Sequence, residues 1–289
     1  MKKVFKHHST KAISAVFDYL TYLRLLIGHK IIVIDGGHGS QIIKYAIFAK
    51  YKEICGRISL HNSYFYPSMT SSTKLIQRPW ILDKYGITLT PKHRIRGYTK
   101  ISDERFVRVF EDSIRKAFSD IDWLNSLFPL PKDIEVEIED KLGLSADILS
   151  DCVGLHIRQG DFAWTASTYL TDNDYAKVMA KILDTLRFSE HKIIVIFSDS
   201  LVNEQIFPEL FSIIAGFNLR ILVLDQADPW LSHCAMRLVN LLICSNSTFS
   251  FSAAILRSGM SIFPKEFYSD KSKPLNQIFL ESANYLVRI

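Results

Sequence analysis

A short stretch near the middle of the chain places charged side chains at the end of an apolar run. Val153–Ile157 is apolar except for His156, which predicts a buried strand, and Arg158 and Asp161 follow it. In open α/β sheets the carboxyl ends of the strands are where ligands bind. A guanidinium binds two oxygens of a diphosphate at once, and a carboxylate three residues later can orient it or accept a proton. The same spacing also suits a surface salt bridge that caps a strand.

A glycine-rich segment stands between a predicted strand and a predicted helix in the first half of the chain. It is Gly36-Gly37-His38-Gly39-Ser40-Gln41, which follows the predicted strand Lys30–Ile34 and continues into the helix predicted at Ser40–Lys52. Glycines let backbone amides approach a sugar phosphate closely. The segment is not a dinucleotide fingerprint, because that pattern needs a glycine where Ile42 stands. This argues against an NAD-dependent enzyme.

Hydroxyl and amide side chains cluster where a third predicted strand gives way to a helix. Ser245, Asn246, Ser247 and Thr248 follow Ile243-Cys244 and precede Phe249. Hydroxyls and the unpaired N–H groups at a helix start together form an anion site. A single residue of this kind would be explained as a helix cap, but the run is longer than a cap requires. Phe249 can pack in the core or lie beside a base or sugar.

These segments, with Ile196–Ser200 as a fourth, resemble the α-1,2-fucosyltransferase family (glycosyltransferase family 11), in order and spacing, from residue 31 to about 264. The family patterns are similar to GGLGNQ, H-x-R-R-G-D and SNSTFS. The resemblance implies inverting transfer of L-fucose from GDP-fucose to a hydroxyl, such as galactoside O2, of a surface polysaccharide or lipid-linked glycan. The catalytic residues it implies are Arg158, Asp161 and His156. Its donor-binding residues are Gly37, His38, Gly39, Ser40, Gln41, Asp199, Ser245, Asn246, Ser247, Thr248 and Phe249.

The chain departs from the family pattern at three positions. His38 stands for leucine, Ser40 for asparagine, and Gln159 for the second arginine of the usual pair. His38 and Ser40 keep one alternative open, a transferase for another nucleotide-deoxyhexose. A second alternative is a catalytically silent nucleotide- or glycan-binding homologue, which the presence of Arg158 and Asp161 disfavours. Two residue roles also stay open. His156 is either a buried, hydrogen-bonded residue or a donor contact, and Asp199 either binds ribose hydroxyls or forms a turn.

Strands and helices alternate along the second half, which predicts an α/β fold with a parallel sheet. We expect a GT-B-like architecture, as the resemblance implies, with two Rossmann-like domains facing a cleft: residues 1–148 on the acceptor side and 149–289 binding the donor. Pro129, Pro131 and the acidic run Glu135–Asp140 predict an exposed connection. Further predicted helices cover Asp103–Phe118, Ile121–Phe128, Asp174–Arg187, Val202–Ala215, Ser232–Leu242 and Thr248–Ser258. Further predicted strands cover Arg57–Phe65, Lys192–Phe197, Leu219–Leu224 and Ser261–Phe263.

Transfer of a sugar from a nucleoside diphosphate requires stabilisation of the leaving charge. The chain has no Asp-x-Asp in a plausible donor site, so we expect a metal-independent enzyme without cofactors, in which Arg158 and neutral donors meet that charge. A net charge of +5 is too small to predict nucleic-acid binding. The four cysteines lie apart and include no C-x-x-C pair, which favours a reducing, cytoplasmic setting.

An amphipathic segment lies near the N-terminus. Residues 12–27 carry apolar side chains on one helical face and follow four lysines, and Asp18 and Arg24 interrupt the run. The segment is too short in uninterrupted apolar residues to cross a membrane. It predicts either a helix packed on the N-terminal domain or a helix lying in the membrane surface. The second alternative would place the protein peripherally at an inner membrane.

Overall fold

The computed structural model describes residues 30–34, 36–61, 79–88, 103–159, 170–186, 193–263, 281 and 287–288. The chain divides into two compact units, Met1–Ile114 and Arg115–Ile289. The boundary predicted at residue 148 therefore falls within the second unit. The N-terminal segment 12–27 lies outside the described residues. Among the described residues, no helix is long and apolar enough to cross a membrane.

The first unit contains a strand–helix–strand element. Strand β1 (Lys30–Val33) pairs in parallel with β2 (Ile58–His61), and helix α1 (His38–Cys55) connects them. Apolar side chains of these elements are buried, and Gly36 adopts a positive φ of 81° at the turn before α1. The predicted order of strand, glycine turn and helix is confirmed. Helix α1 extends beyond the predicted bounds, because Gly37 forms its N-cap and Gly56 ends it in the left-handed conformation.

Between β2 and the large sheet, the described part of the chain contains four α-helices. Helix α2 (Asp103–Phe118) spans the division between the units, and α3 (Ile121–Leu127), α4 (Ile134–Leu142) and α5 (Ala146–Asp151) follow. The expectation of an exposed connection at Glu135–Asp140 is wrong, because α4 occupies this stretch. Ile134 and Ile138 lie one turn apart and are buried, while the acidic residues between them are exposed or half-buried. Such spacing gives a helix one apolar face whatever the charge of the other.

Arg237 ties the segment before the sheet to the second unit. Its Nη2 donates to Asn125 Oδ1 at 3.2 Å and to the Phe128 carbonyl at 3.0 Å. Its Nε donates to the Leu256 carbonyl at 3.2 Å. A buried guanidinium needs several acceptors to offset its desolvation, and two parts of the chain supply them here, Asn125–Phe128 and Leu256. These bonds link α3 to the C-terminal part of the second unit.

The second unit is built on a six-stranded parallel sheet with the order β5-β4-β3-β6-β7-β8. The strands are β3 (Cys152–Ile157), β4 (Ile193–Ser198), β5 (Arg220–Asp225), β6 (Leu241–Ile243), β7 (Met260–Phe263) and β8 (Val287–Arg288). The described connecting helices are α6 (Asp172–Leu186), α7 (Pro208–Gly216), α8 (Pro229–Leu238) and α9 (Thr248–Ile255). The predicted α/β class with a parallel sheet is confirmed, and β8 is a strand that we did not predict.

The bounds of α7 and α8 differ from the predicted ones for local reasons. Helix α7 begins only at Pro208, because the Asn203 side chain accepts from the Gln205 and Ile206 N–H groups, at 3.0 Å each, and holds a turn before it. Helix α8 ends at Leu238, and the apolar run that follows becomes β6 rather than its continuation. The polar run Ser245–Thr248 follows that strand directly.

Candidate functional site

The strand order places the carboxyl ends of β3 and β6 side by side. From β3 the chain proceeds outward through β4 and β5, then returns to form β6 on the other side of β3. Ligands of open parallel sheets bind at such a reversal, outside the carboxyl ends of the strands. Arg158 directly follows β3, and Ser245 lies two residues after β6. Two of the predicted segments, far apart in sequence, therefore meet at the position where a ligand is expected.

Arg158 is held from two sides. Its Nη1 lies 2.5 Å from Asp199 Oδ2, at the end of β4, and its backbone N–H donates to the Tyr175 hydroxyl at 3.0 Å. The Gln159 N–H donates to the other Asp199 oxygen at 3.0 Å. The Arg158 side chain is 15% exposed. The guanidinium is therefore positioned at the sheet edge while part of it is open to solvent.

His156 joins the two strands below this edge. Its Nδ1 lies 2.8 Å from Ser245 Oγ, and its side chain is buried. Burial, and then the nearby charge of Arg158, lower its pKa to about 3. A neutral imidazole with such a low pKa is a poor general base. The structure thus places His156 in a buried network that fixes Ser245, and its predicted donor contact stays a prediction.

The polar run after β6 divides into internal and accessible groups. Ser245 is bonded to His156, and Ser247 caps α9 by accepting from the Phe249 N–H at 3.2 Å. Both serines are buried, whereas Asn246 is half-buried and Thr248 is exposed. Thr248, at the start of α9, is therefore the residue of this run whose side chain is exposed to a ligand. The two serines position the backbone on either side of Asn246.

Phe249 packs between two histidine rings. The centroid of its ring lies 5.5 Å from that of His156 and 5.4 Å from that of His233. His233 lies on α8, is fully buried, and its Nε2 lies 2.9 Å from Ser252 Oγ. Phe249 is thus fixed from both sides, which supports packing as its role. His233 was missed in the sequence, where a single histidine in a helical run gives no signal.

The glycine segment lies in the first unit, where it begins α1. His38 and Gly39 are buried and Ser40 is half-buried. Gln41 is fully buried, and its amide donates to the Pro79 carbonyl at 2.8 Å and accepts from the Ile81 N–H at 3.0 Å. The Gln41 side chain therefore holds the segment 79–81 in place. Donor contacts through Gly37, His38, Gly39, Ser40 and Gln41 stay predictions.

Two further predictions are the catalytic role of Asp161 and the absence of a metal. Asp161 lies outside the described residues. Within the described part of the chain, no group of three or more His, Cys, Asp or Glu side chains could hold a metal ion. Metal independence stays a prediction.

The chain is similar to several solved structures at low identity. POFUT1 in complex with GDP has 11% identity and a TM-score of 0.43, covering 80% of this chain and 95% of that chain. POFUT1 in complex with GDP-fucose has 11% identity and a TM-score of 0.42, and the similarity covers 80% of this chain and 94% of that chain. The E. coli heptosyltransferase WaaC with ADP has 10% identity and a TM-score of 0.33, covering 90% and 93%. No protein-family model matches the chain, and no curated protein matches it. Similarities of this size do not by themselves define an activity.

Proposed function

We propose that the chain is a GT-B-like glycosyltransferase whose donor is a nucleoside diphosphate sugar, GDP-fucose. The observation that carries this proposal is the meeting of Arg158 and the start of α9 at the carboxyl ends of neighbouring strands β3 and β6. The diphosphate lies between them. It accepts from the Arg158 guanidinium on one side and from Thr248 and the first N–H groups of α9 on the other. The positive end of the α9 dipole adds to the attraction.

The reaction breaks the bond between the anomeric carbon and the diphosphate oxygen. An acceptor hydroxyl oxygen attacks that carbon from the opposite face, which inverts its configuration, and GDP leaves with the bonding electrons. The acceptor proton passes to a base, the role that we propose for Asp161. Charge grows on the leaving diphosphate during this step, so donors fixed in advance stabilise the transition state more than the ground state.

The further parts of the proposal follow from the resemblance. It assigns acceptor recognition to residues 1–148. The acceptor atom is the galactoside O2 of a surface polysaccharide or lipid-linked glycan. A cytoplasmic enzyme bound to the inner face of a membrane through residues 12–27 would suit such an acceptor. His38 and Ser40 differ from the family pattern, and this favours another nucleotide-deoxyhexose as the alternative donor.

Nucleotide release during transfer tests the proposal. The full chain is incubated with a soluble galactoside acceptor and, in turn, GDP-fucose, other GDP-sugars and UDP-sugars, and released nucleotide and glycan product are quantified. We expect turnover with GDP-fucose. Turnover only with another nucleotide-deoxyhexose would replace the donor but keep the reaction class. No turnover and no binding of any GDP-sugar would refute the proposal.

A matched pair of variants links turnover to the site. Arg158→Ala removes the guanidinium at the carboxyl end of β3. Arg220→Ala removes the same charge from an exposed position at the opposite, amino end of β5. We expect the first variant to lose activity and the second to keep it. Equal activity in the two variants would contradict the placement of the diphosphate at Arg158.

A further inference from the structure

Asp199 uses both oxygens of its carboxylate on the segment that carries Arg158. One oxygen lies 2.5 Å from Arg158 Nη1, and the other accepts from the Gln159 N–H at 3.0 Å. The carboxylate follows β4, the strand paired with β3, so two neighbouring strand ends are linked through it. The Asp199 side chain is 29% exposed. The carboxylate therefore holds the Arg158 guanidinium with one oxygen and the backbone next to Arg158 with the other.

The charges of this pair act against the binding of an anion. Asp199 cancels the formal charge of Arg158, so the pair presents no net charge to a diphosphate. A carboxylate this close to an anion site also repels the ligand. A site built only for affinity would leave out the carboxylate. A guanidinium has five N–H donors in a rigid plane, so one carboxylate can hold one edge while another edge binds a ligand.

We propose that Asp199 is a positioning residue. Its carboxylate weakens binding of the donor diphosphate, but it aligns the Arg158 guanidinium for the transition state. This inference rests on the proposed function and adds to it the role of a residue whose predicted partners were ribose hydroxyls. Alignment matters more for the reaction than for binding, because charge at the leaving oxygen develops only as the bond breaks. Removal of the Asp199 carboxylate should therefore lower kcat without weakening the binding of GDP.

Asp199→Asn is the central variant. Its amide oxygen can still accept from the Gln159 N–H, but its charge and its hold on Arg158 are lost. We expect kcat with GDP-fucose to fall on the order of a hundredfold, the loss typical of a misplaced catalytic group. We expect the dissociation constant for GDP, measured by calorimetry, to stay equal or to decrease. Asp199→Glu, which restores a carboxylate on a longer side chain, should recover part of kcat.

A double-mutant cycle tests whether Asp199 acts through Arg158. In an Arg158→Ala background, Asp199→Asn should cause no further loss of kcat, because the group that it aligns is absent. Asp228→Asn is the control. It removes the same charge from the exposed N-cap of α8, and asparagine caps helices as well as aspartate does. This variant should retain both kcat and GDP affinity.

The outcomes distinguish this inference from the proposed function. If the wild-type chain neither binds GDP nor turns over any nucleotide sugar, the proposed function fails. If wild type is active and Asp199→Asn has an unchanged kcat, only the role of Asp199 fails. A parallel loss of kcat and GDP affinity, or additive losses in the cycle, would also overturn that role. Should Asp199→Asn fail to fold, as judged by thermal unfolding, Asp199→Ser provides the same comparison with a small neutral acceptor.

Discussion

Replacement of His156 by asparagine should change how the stability of the protein depends on pH. The imidazole is buried, and its pKa falls from the ordinary value of 6.5 to about 3. Below pH 6.5 the imidazole is protonated in the unfolded chain but stays neutral in the folded chain. Acid therefore favours unfolding. The stability linked to His156 is therefore complete above pH 6.5. It is lost as the pH falls from there towards 3.

The magnitude follows from the size of the shift. Well inside this window each pH unit lowers the free energy of unfolding by about 1 kcal/mol, so acidification from neutral pH to pH 4.5 costs roughly 2–3 kcal/mol. His156→Asn can keep a hydrogen bond to Ser245 Oγ, which the Nδ1 atom makes at 2.8 Å, but carries no titrating group. It also loses ring packing against Phe249, which makes it less stable than wild type at neutral pH, by roughly 1–2 kcal/mol.

Urea unfolding monitored by tryptophan fluorescence, at several pH values between 7.5 and 4.5, measures this difference. Carboxylates titrate in both proteins, so their contributions cancel when one free energy is subtracted from the other. We expect the stability advantage of wild type to shrink below pH 6.5 and to disappear or reverse by pH 4.5. A difference that stays constant over this range would refute the buried, neutral state of His156.

Four further predictions concern separate parts of the chain. Arg158→Ala should lower turnover by about a hundredfold or more, and Arg158→Lys should also be impaired, because a point charge does not replace a planar fork; wild-type turnover would contradict this. Activity should survive EDTA, and loss of activity that Mg²⁺ or Mn²⁺ restores would reveal a metal. Gly154→Ala should destabilise the protein by about 1–3 kcal/mol, because the new Cβ would lie 3.1 Å from Phe197 and Val239; an unchanged urea midpoint would refute it. If residues 12–27 form an interfacial helix, the full chain should sediment with anionic vesicles, and less so at high salt. A truncation lacking residues 1–27 should then stay active but no longer bind the vesicles. An unstable truncation would favour a helix packed on the N-terminal domain.

The sequence predicted the elements of the site better than their arrangement. The apolar run Val153–Ile157 and the turn signals after it were enough to predict a strand with Arg158 at its end. The polar run after Cys244 likewise predicted a strand followed by a helix. The strand order was not predictable, because pairing of β3 with β6 depends on a crossover through β4, β5 and α8 that no local pattern encodes.

Side-chain partners were the least predictable part. The sequence does not show that Asp199 holds Arg158 or that Gln41 holds the segment 79–81, since each contact joins residues about 40 positions apart. The start of α8 could have been found from Asp228-Pro229, a capping residue followed by proline at the first helical position. The end of α8 could not, because the apolar residues of β6 continue the helical run of the sequence.

A crystal structure of the full chain with GDP bound would locate the diphosphate directly. We expect it at the carboxyl ends of β3 and β6. Its oxygens should lie within hydrogen-bonding distance of the Arg158 guanidinium and of Thr248 or the first N–H groups of α9, and Asp199 should still contact Arg158. GDP bound elsewhere on the protein, or no bound nucleotide at saturating concentration, would contradict it.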